Sequence, residues 1–354
     1  MKNHILISII AVLLFACSST NDSIQDERPL NGFTEWAIPI NEIRDGGPGK
    51  DGIPSIDNPQ FVTAQEATFL SDDDLVVGIF QNGVARAYPH IVLDWHEVVN
   101  DEISGSFFTL NYCPLTGTAF AWESRTNNTR STFGVSGLLY NANLIMYDRN
   151  TDSNWSQLRL ECVNGSLLGD EPKLYNTIET DWATWRNLYP NTQVLSTQTG
   201  FSRNYGVSPY GDYATNNNRF IFRPEIFNTA LPNKDRVYAI IDNELSKVYQ
   251  FSNFEGGNVI KDKFNGSDYV IYGNNNLIYG FKLDGAHANL NFEYDPNNAS
   301  ASLLKDNEGN TWSVFGEALS GPRAGENLTP VKSVMSYWFA IAAFYPDPEI
   351  YTTP

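Results

Sequence analysis

The sequence repeats itself once, and this limits the folds open to it. When the 354-residue chain is shifted against itself by 161 positions, "VVGIFQNGVARAYP" at 76–89 aligns with "VYAIIDNELSKVYQ" at 237–250. The match continues without a gap through residue 122, and the tail at 181–195 resembles 337–351. An internal repeat of this length predicts that the chain folds as two related units, each built from the same elements.

The local pattern in each unit is strand, tight turn, strand. In the first unit, two apolar segments at 75–80 and 84–89 flank Asn82-Gly83, a dipeptide typical of two-residue β-hairpin turns. Further short apolar and aromatic runs follow up to residue 148 and read as more strands. "HIVLDWHEVVND" at 90–101 has near-helical spacing and is interpreted as either a short helix or an irregular loop.

One helix is expected in each unit. It begins near Asp181 or Ser336, where a capping residue precedes regularly spaced apolar residues, and it ends before Pro190 or Pro346. The predicted fold class is therefore α+β and dominated by β-structure. It consists of two duplicated lobes of mainly antiparallel sheet, each closed by one Trp-rich helix.

The N-terminus has the features of a bacterial lipoprotein signal. A basic start at Lys2 is followed by an apolar run at 5–15, and the run leads into Ala16-Cys17, which resembles a lipoprotein processing box. We therefore predict lipidation of Cys17 and a lipid-anchored protein of the bacterial cell envelope. Because no Asp follows Cys17, the outer membrane is favoured. An ordinary cleaved signal or an uncleaved anchor is the alternative.

These features predict five segments. They are a lipoprotein signal peptide at 1–16, a tether and N-terminal extension at 17–60, a first repeat lobe with the candidate site at 61–196, a connector at 197–235, and a second, degenerate repeat lobe at 236–354.

Charge and cysteine content exclude some classes of function. The formal net charge of −18 argues against nucleic acid and anionic lipid as partners, since both require a basic surface. The membrane is expected as a partner only through the N-terminal lipid, beside an unknown small molecule or envelope protein. Apart from Cys17, which is predicted to carry the lipid, only Cys113 and Cys162 remain, which excludes a framework of several disulfides.

Only the first unit carries groups suited to nucleophilic or metal chemistry. At the shift of 161, His96 aligns with Gly257 and Cys113 aligns with Asn274. A thiolate beside an imidazole is either an activated nucleophile or half of a soft-metal site. We therefore predict a site at Cys113 and His96.

Three interpretations of this site stay open at the sequence level. The first is a transition-metal site, for copper before zinc, with Glu97 or Asp94 as third ligand. The second is an enzyme with Cys113 as nucleophile and His96 as base, acting on a thiol, disulfide or acyl substrate. The third is a non-catalytic binding or scaffold module with an inert Cys113.

The turn after Cys113 has residues that orient a side chain. Pro114 stiffens the backbone and Gly117 permits a positive φ, so the turn can present Cys113 at the mouth of a cleft. Other polar and aromatic residues are candidates for ligand contacts in the first lobe or in a cleft between lobes. They are Tyr112, Thr116, Thr118, Ser136, Tyr140, Asn141, Arg203 and Tyr205.

The chain resembles the bacterial and archaeal family known as domain of unknown function 3179. The resemblance covers residues 60–352 and is carried by "AYPHIVLDWHEVVND", "YCPLTGTAFAW", "FGVSGLLYNANLIMYDR" and "TGFSRNY". Cys113 and His96 fall on the family pattern, whereas His90 and Cys162 depart from it. The resemblance implies a secreted protein and a shared fold, without implying an activity.

Overall fold

The structure is a computed structural model that describes residues 33–126, 128–296 and 301–353. The predicted signal peptide and Cys17 lie outside these ranges. Within them the helices are α1 (His90–His96), α2 (Trp182–Leu188) and α3 (Trp338–Phe344). In the same ranges no helix is long and apolar enough to cross a bilayer.

The strands of the first half are β1 (Ile43–Asp45), β2 (Phe61–Thr63), β3 (Leu75–Gln81), β4 (Val84–Pro89), β5 (Val98–Ile103), β6 (Ser106–Cys113), β7 (Thr118–Glu123), β8 (Arg125–Thr126), β9 (Thr129–Arg130), β10 (Phe133–Tyr140), β11 (Asn143–Asp148), β12 (Asn154–Ser156), β13 (Glu161–Asn164), β14 (Leu174–Tyr175), β15 (Ile178–Asp181) and β16 (Gln193–Leu195). Those of the second half are β17 (Arg236–Asp242), β18 (Leu245–Gln250), β19 (Asn258–Phe264), β20 (Ser267–Gly273), β21 (Ile278–Leu283), β22 (Phe292–Tyr294), β23 (Ser302–Asp306), β24 (Thr311–Ser313), β25 (Ala318–Ser320), β26 (Thr329–Pro330), β27 (Ser333–Tyr337) and β28 (Glu349–Ile350).

Antiparallel sheet dominates the fold, which confirms the predicted class. The larger sheets of the first half have the strand orders β14-β7-β6-β5, β15-β3-β4-β16-β2 and β1-β10-β11-β12-β13. Those of the second half are β26-β21-β20-β19, β27-β17-β18-β28 and β22-β23-β24-β25. Parallel pairing joins β16 to β4 and β28 to β18. The duplication and the lobe boundaries stay predictions.

Local sequence signals predicted the positions of the turns and helices described below. Asn82 and Gly83 have φ values of 51° and 79°, so the β3–β4 hairpin has the tight turn that the sequence predicts. Helix α2 begins after Asp181, whose carboxylate accepts a hydrogen bond from the Thr184 N–H at 2.7 Å. The segment at 90–101, for which the sequence allowed either a short helix or an irregular loop, forms helix α1. This helix ends at Glu97, which has a φ of 57°.

The two largest hydrophobic clusters each draw residues from both halves of the chain. The first contains Trp185 of α2 together with Ile271 and Trp312 of the second half. The second contains Cys113 of β6 together with Trp338 of α3. Apolar residues of both halves therefore pack together in these two clusters.

Candidate functional site

Cys113 lies at the start of a closed turn between β6 and β7. Its carbonyl accepts hydrogen bonds from the N–H groups of Thr116, at 3.2 Å, and Gly117, at 2.8 Å. Gly117 has a φ of 62°, and the ring of Tyr337 lies 3.0 Å from the position that a Cβ would occupy there. The turn therefore needs glycine for its backbone conformation and for close contact with the second half.

The hydroxyl groups of Thr116 and Thr118 fasten this turn to neighbouring strands. The two oxygens are 2.8 Å apart, and Thr118 donates to Oε1 of Gln157 at 2.6 Å. Nδ2 of Asn143 donates to Thr116 at 2.9 Å. All four side chains are buried. The two threonines therefore position the turn, and their hydrogen bonds are satisfied within the protein.

The Cys113 thiol is almost completely buried, with 1% of the residue exposed. Its Sγ lies 3.8 Å from the carbonyl oxygen of Ala142. Burial raises the pKa of the thiol to about 11, and the charge of Glu97 acts in the same direction. Hydrogen bonds from Thr116 and from the backbone of Leu144 lower the pKa and favour the thiolate. In the resting site the sulfur is therefore protonated.

His96 is held by other partners. Its Nδ1 lies 2.7 Å from the carbonyl oxygen of Pro54, and its Nε2 lies 2.7 Å from the hydroxyl of Tyr205. Because a carbonyl only accepts, Nδ1 carries the hydrogen and Nε2 accepts from Tyr205. Burial lowers the pKa of His96, which keeps the ring neutral. Both ring nitrogens of His96 therefore have partners other than Cys113, and His96 links the Pro54 loop to the connector. The thiol–imidazole pair stays a prediction.

Glu97 contributes a buried carboxyl beside Cys113. Its Oε1 accepts a hydrogen bond from the hydroxyl of Tyr210 at 3.1 Å. Burial raises the pKa of Glu97 to about 8, and the nearby charge of Asp94 adds to this effect. Burial also raises the pKa of Asp94, to about 6. At neutral pH Glu97 is therefore mainly protonated.

Lys234 is the residue of this site that the sequence did not indicate. It is 6% exposed, and its Nζ has no hydrogen-bond partner among the described residues. The Nζ lies 3.2 Å from the ring centroid of Tyr213. It also lies within 5.1 Å of the ring centroids of three further aromatic residues, Phe220, Tyr337 and Phe339. Burial lowers the pKa of Lys234 to about 7, and the charge of Cys113 partly opposes this shift. We call Lys234 and these four rings the lysine cage.

The connector closes over the site through tyrosine hydroxyls. Tyr213 donates to the carbonyl oxygen of Leu115 at 2.9 Å, and Tyr205 and Tyr210 make the bonds to His96 and Glu97. Lys234 lies at the end of the same segment, directly before β17. No spacing motif relates Lys234 to Cys113, because only the path of the connector brings them together.

Four other predicted residues make contacts within the protein. Ser136 donates to the Ile145 carbonyl at the β10 bulge, and the ring centroid of Tyr140 lies 5.4 Å from that of Phe344. The amide oxygen of Asn141 accepts from the N–H of Glu225 at 3.0 Å. The exposed guanidinium of Arg203 lies 5.8 Å from the ring centroid of Trp95.

Tyr112 and His90 form a separate buried contact. Their ring centroids are 4.4 Å apart, and the pKa of Tyr112 is raised by burial. Nε2 of His90 lies 3.7 Å from Oε2 of Glu179, whose other oxygen pairs with Arg236. This cluster joins β15 of the first half to β17 of the second.

The predicted metal ligands are not grouped. In the ranges that the structure describes, no set of three or more His, Cys, Asp or Glu side chains is arranged to hold a metal ion. The ring nitrogens of His96 both have protein partners. The copper or zinc site therefore lacks structural support and stays a prediction.

The position that aligns with Cys113 in the second half is filled and satisfied. Asn274 accepts hydrogen bonds from the N–H groups of Asn276 and Leu277, and it donates to the hydroxyl of Tyr294. The Tyr294 ring occupies the space into which a Cβ at Gly257 would extend. The second half thus has no thiol at the position that aligns with Cys113.

Comparison with known proteins gives a family assignment. A family described as protein of unknown function, DUF3179, matches residues 50–348. The chain belongs to this family. No curated protein and no solved structure matches the chain. The DUF3179 match spans both halves and includes Cys113, Lys234 and the connector between them.

Proposed function

We propose that this DUF3179 protein is an enzyme in which the Cys113 thiol is the nucleophile and Lys234 accepts its proton. The substrate class that suits a thiol nucleophile is a small disulfide or acyl compound. The observation that carries the proposal is the buried, unpartnered Nζ of Lys234, whose pKa the charge of Cys113 influences.

The resting pair is neutral. With a thiol pKa of about 11 and an amine pKa of about 7, the thiol keeps its proton. Moving that proton to the amine costs about 5 kcal/mol at roughly 1.4 kcal/mol per pKa unit. This free-energy difference is small enough for the transfer to accompany attack on a bound electrophile. The free amine is the general base that a Cys–Lys pair requires.

The surroundings favour the charge-separated pair once it forms. Hydrogen bonds from Thr116 and the backbone of Leu144 stabilise a negative sulfur. The rings of the lysine cage present their faces to the resulting ammonium. After attack, the Lys234 ammonium returns its proton to the leaving thiolate, so charge and protons balance.

The pH dependence of Cys113 alkylation tests this assignment. In a Cys162→Ala background, the reaction of Cys113 with iodoacetamide is expected to rise with pH through a midpoint near 7, where Lys234 loses its proton. Lys234→Met is expected to remove this midpoint and to slow alkylation at pH 8 by about a hundredfold, a typical general-base contribution. The rates are measured by mass spectrometry of quenched samples.

A second variant separates charge from basicity. Lys234→Arg keeps a positive charge but cannot accept a proton, so it is expected to react as slowly as Lys234→Met. Lys173→Met, at an exposed lysine, is the matched control and is expected to keep the midpoint. If the alkylation rate depends on pH in the same way in all variants, or if Cys113 reacts only after denaturation, this proposal is replaced by the interpretation as a scaffold module with an inert Cys113.

We also propose that Cys17 carries the lipid anchor in the bacterial envelope. The support is the apolar run at 5–15 followed by Ala16-Cys17. Cells expressing the protein are expected to incorporate labelled palmitate into it, and Cys17→Ala is expected to abolish the labelling. Labelling that persists in Cys17→Ala would contradict the anchor.

A further inference from the structure

We propose that, when peroxide oxidises Cys113, Lys234 captures the product as a sulfenamide, a covalent sulfur–nitrogen bond between the two side chains. This inference rests on the proposed function, because it needs the same reactive thiol and the same neutral amine. Beyond that function, it assigns a modification site at Cys113 and Lys234 and names peroxides as the class of oxidant.

The geometry places the amine on the rings that hold the Cys113 turn. Tyr213, whose centroid is 3.2 Å from the Lys234 Nζ, donates its hydroxyl hydrogen to Leu115, two residues after Cys113. Tyr337, 5.1 Å from the Nζ, donates its backbone N–H to the carbonyl oxygen of Thr116 at 2.9 Å. Both rings that contact the amine thus also hold the turn that carries the sulfur, and Cys113, Tyr213 and Tyr337 belong to one hydrophobic cluster.

Neither group is held in place by a strong partner. Within the described residues, the thiol donates a long hydrogen bond of 3.8 Å to the Ala142 carbonyl, and the amine has no partner. Lysine also has a flexible four-carbon stem. The Lys234 side chain can therefore rotate towards an oxidised sulfur without breaking a protein hydrogen bond.

The chemistry balances in two steps. In the first, the thiol attacks a peroxide, the O–O bond breaks, one oxygen becomes the sulfenic hydroxyl and the other leaves as an alcohol or water. In the second, the lone pair of the neutral amine attacks the sulfenic sulfur, the S–O bond breaks and water leaves. Two equivalents of an external thiol reverse the bond, because they reduce the sulfur and are oxidised to a disulfide.

The lysine cage favours the second step. An ammonium has no lone pair and cannot attack, whereas burial lowers the pKa of Lys234 to about 7 and keeps a large neutral fraction. The other thiol, Cys162, is also buried and free, and it is hydrogen-bonded to the carbonyl oxygen of Asn164 at 3.5 Å. A disulfide with Cys162 is the competing product.

Intact-mass analysis of the full chain after one equivalent of hydrogen peroxide tests the inference. The expected product has lost two hydrogen atoms, contains a peptide in which Cys113 is joined to Lys234, and returns to the starting mass with dithiothreitol. Cys162→Ala is expected to form the same product. Dimedone, which traps sulfenic acid, is expected to label Lys234→Met at Cys113 at least about tenfold more than the wild type.

Three outcomes would overturn the inference. They are equal dimedone labelling of the wild type and Lys234→Met, direct conversion to sulfinic acid in both, and a disulfide between Cys113 and Cys162. If the Lys234-dependent alkylation profile is nevertheless present, only the cross-link is rejected and the enzyme proposal stands. If that profile is absent as well, both proposals fail together.

Discussion

Glu97→Gln is expected to raise the free energy of unfolding at pH 8 by about 3–5 kcal/mol and to leave it nearly unchanged at pH 4.5. The reason is the buried carboxyl of Glu97, whose pKa is raised from 4.5 to about 8 by burial and by the charge of Asp94. Glutamine has almost the shape of a protonated glutamate and keeps an oxygen that accepts from Tyr210.

The direction of this pH effect depends on whether the folded or the unfolded state releases the Glu97 proton at the lower pH. In the unfolded chain the carboxyl ionises at its ordinary pKa, whereas in the folded protein it keeps its proton up to about pH 8. Between these values the native state binds more protons, so stability falls as pH rises. Glutamine has no proton to release, so the stability of the variant does not show this part of the decrease with pH.

Urea unfolding at several pH values between 4.5 and 8.5 measures the effect. Glu102→Gln makes the same chemical change at an exposed position of β5 and is the matched control. The free energy of unfolding of Glu102→Gln is expected to fall with pH as steeply as that of the wild type. Equal slopes in wild type and Glu97→Gln would show that Glu97 ionises in the native state as it does in water, and the geometry proposed for the site would be wrong.

Trp185→Ala is expected to lower the free energy of unfolding by about 3–5 kcal/mol, the range for removal of a large aromatic side chain from a core. The side chain is fully buried, and its Nε1 donates to Thr192 at 2.9 Å. Its ring lies on Gly78, where a Cβ would overlap it, and close to Phe315 of the second half. The deletion thus opens a cavity between the halves.

The same variant tests whether the halves fold together. Because Trp185 lies in a cluster with residues of both halves, wild type and variant are each expected to unfold in one transition by fluorescence and circular dichroism. Trp95→Ala, at a partly exposed residue, is the control and is expected to cost about 1 kcal/mol or less. Two separated transitions would contradict the shared core.

Local sequence signals predicted much of the fold correctly. The Asn82-Gly83 turn and the Asp181 cap depend on the conformational preferences of neighbouring residues, and such preferences act over a few positions. The sequence did not show that Trp185 packs against the second half, since an apolar face does not specify the surface that covers it. Helix α3 likewise begins at Trp338, one residue beyond the position expected after Ser336.

The site was predicted only in part. Cys113 was found because it is a rare residue on a turn that needs Gly117. The predicted partner, His96, forms its hydrogen bonds with Pro54 and Tyr205, so its pairing with Cys113 stays a prediction. Lys234 lies 121 positions further along in a connector of irregular structure, and an ordinary lysine in such a segment has no distinguishing pattern.

The amino-acid sequence alone determined the β-rich class, the turns and the position of the Cys113 thiol, because these depend on short-range preferences and on residue chemistry. The tertiary structure alone decided which groups surround that thiol. Burial of Lys234 among four rings and of Glu97 beside Cys113 changes their pKa values through loss of water, and the loss depends on long-range packing. The chemistry of the site is therefore a property of the packed halves.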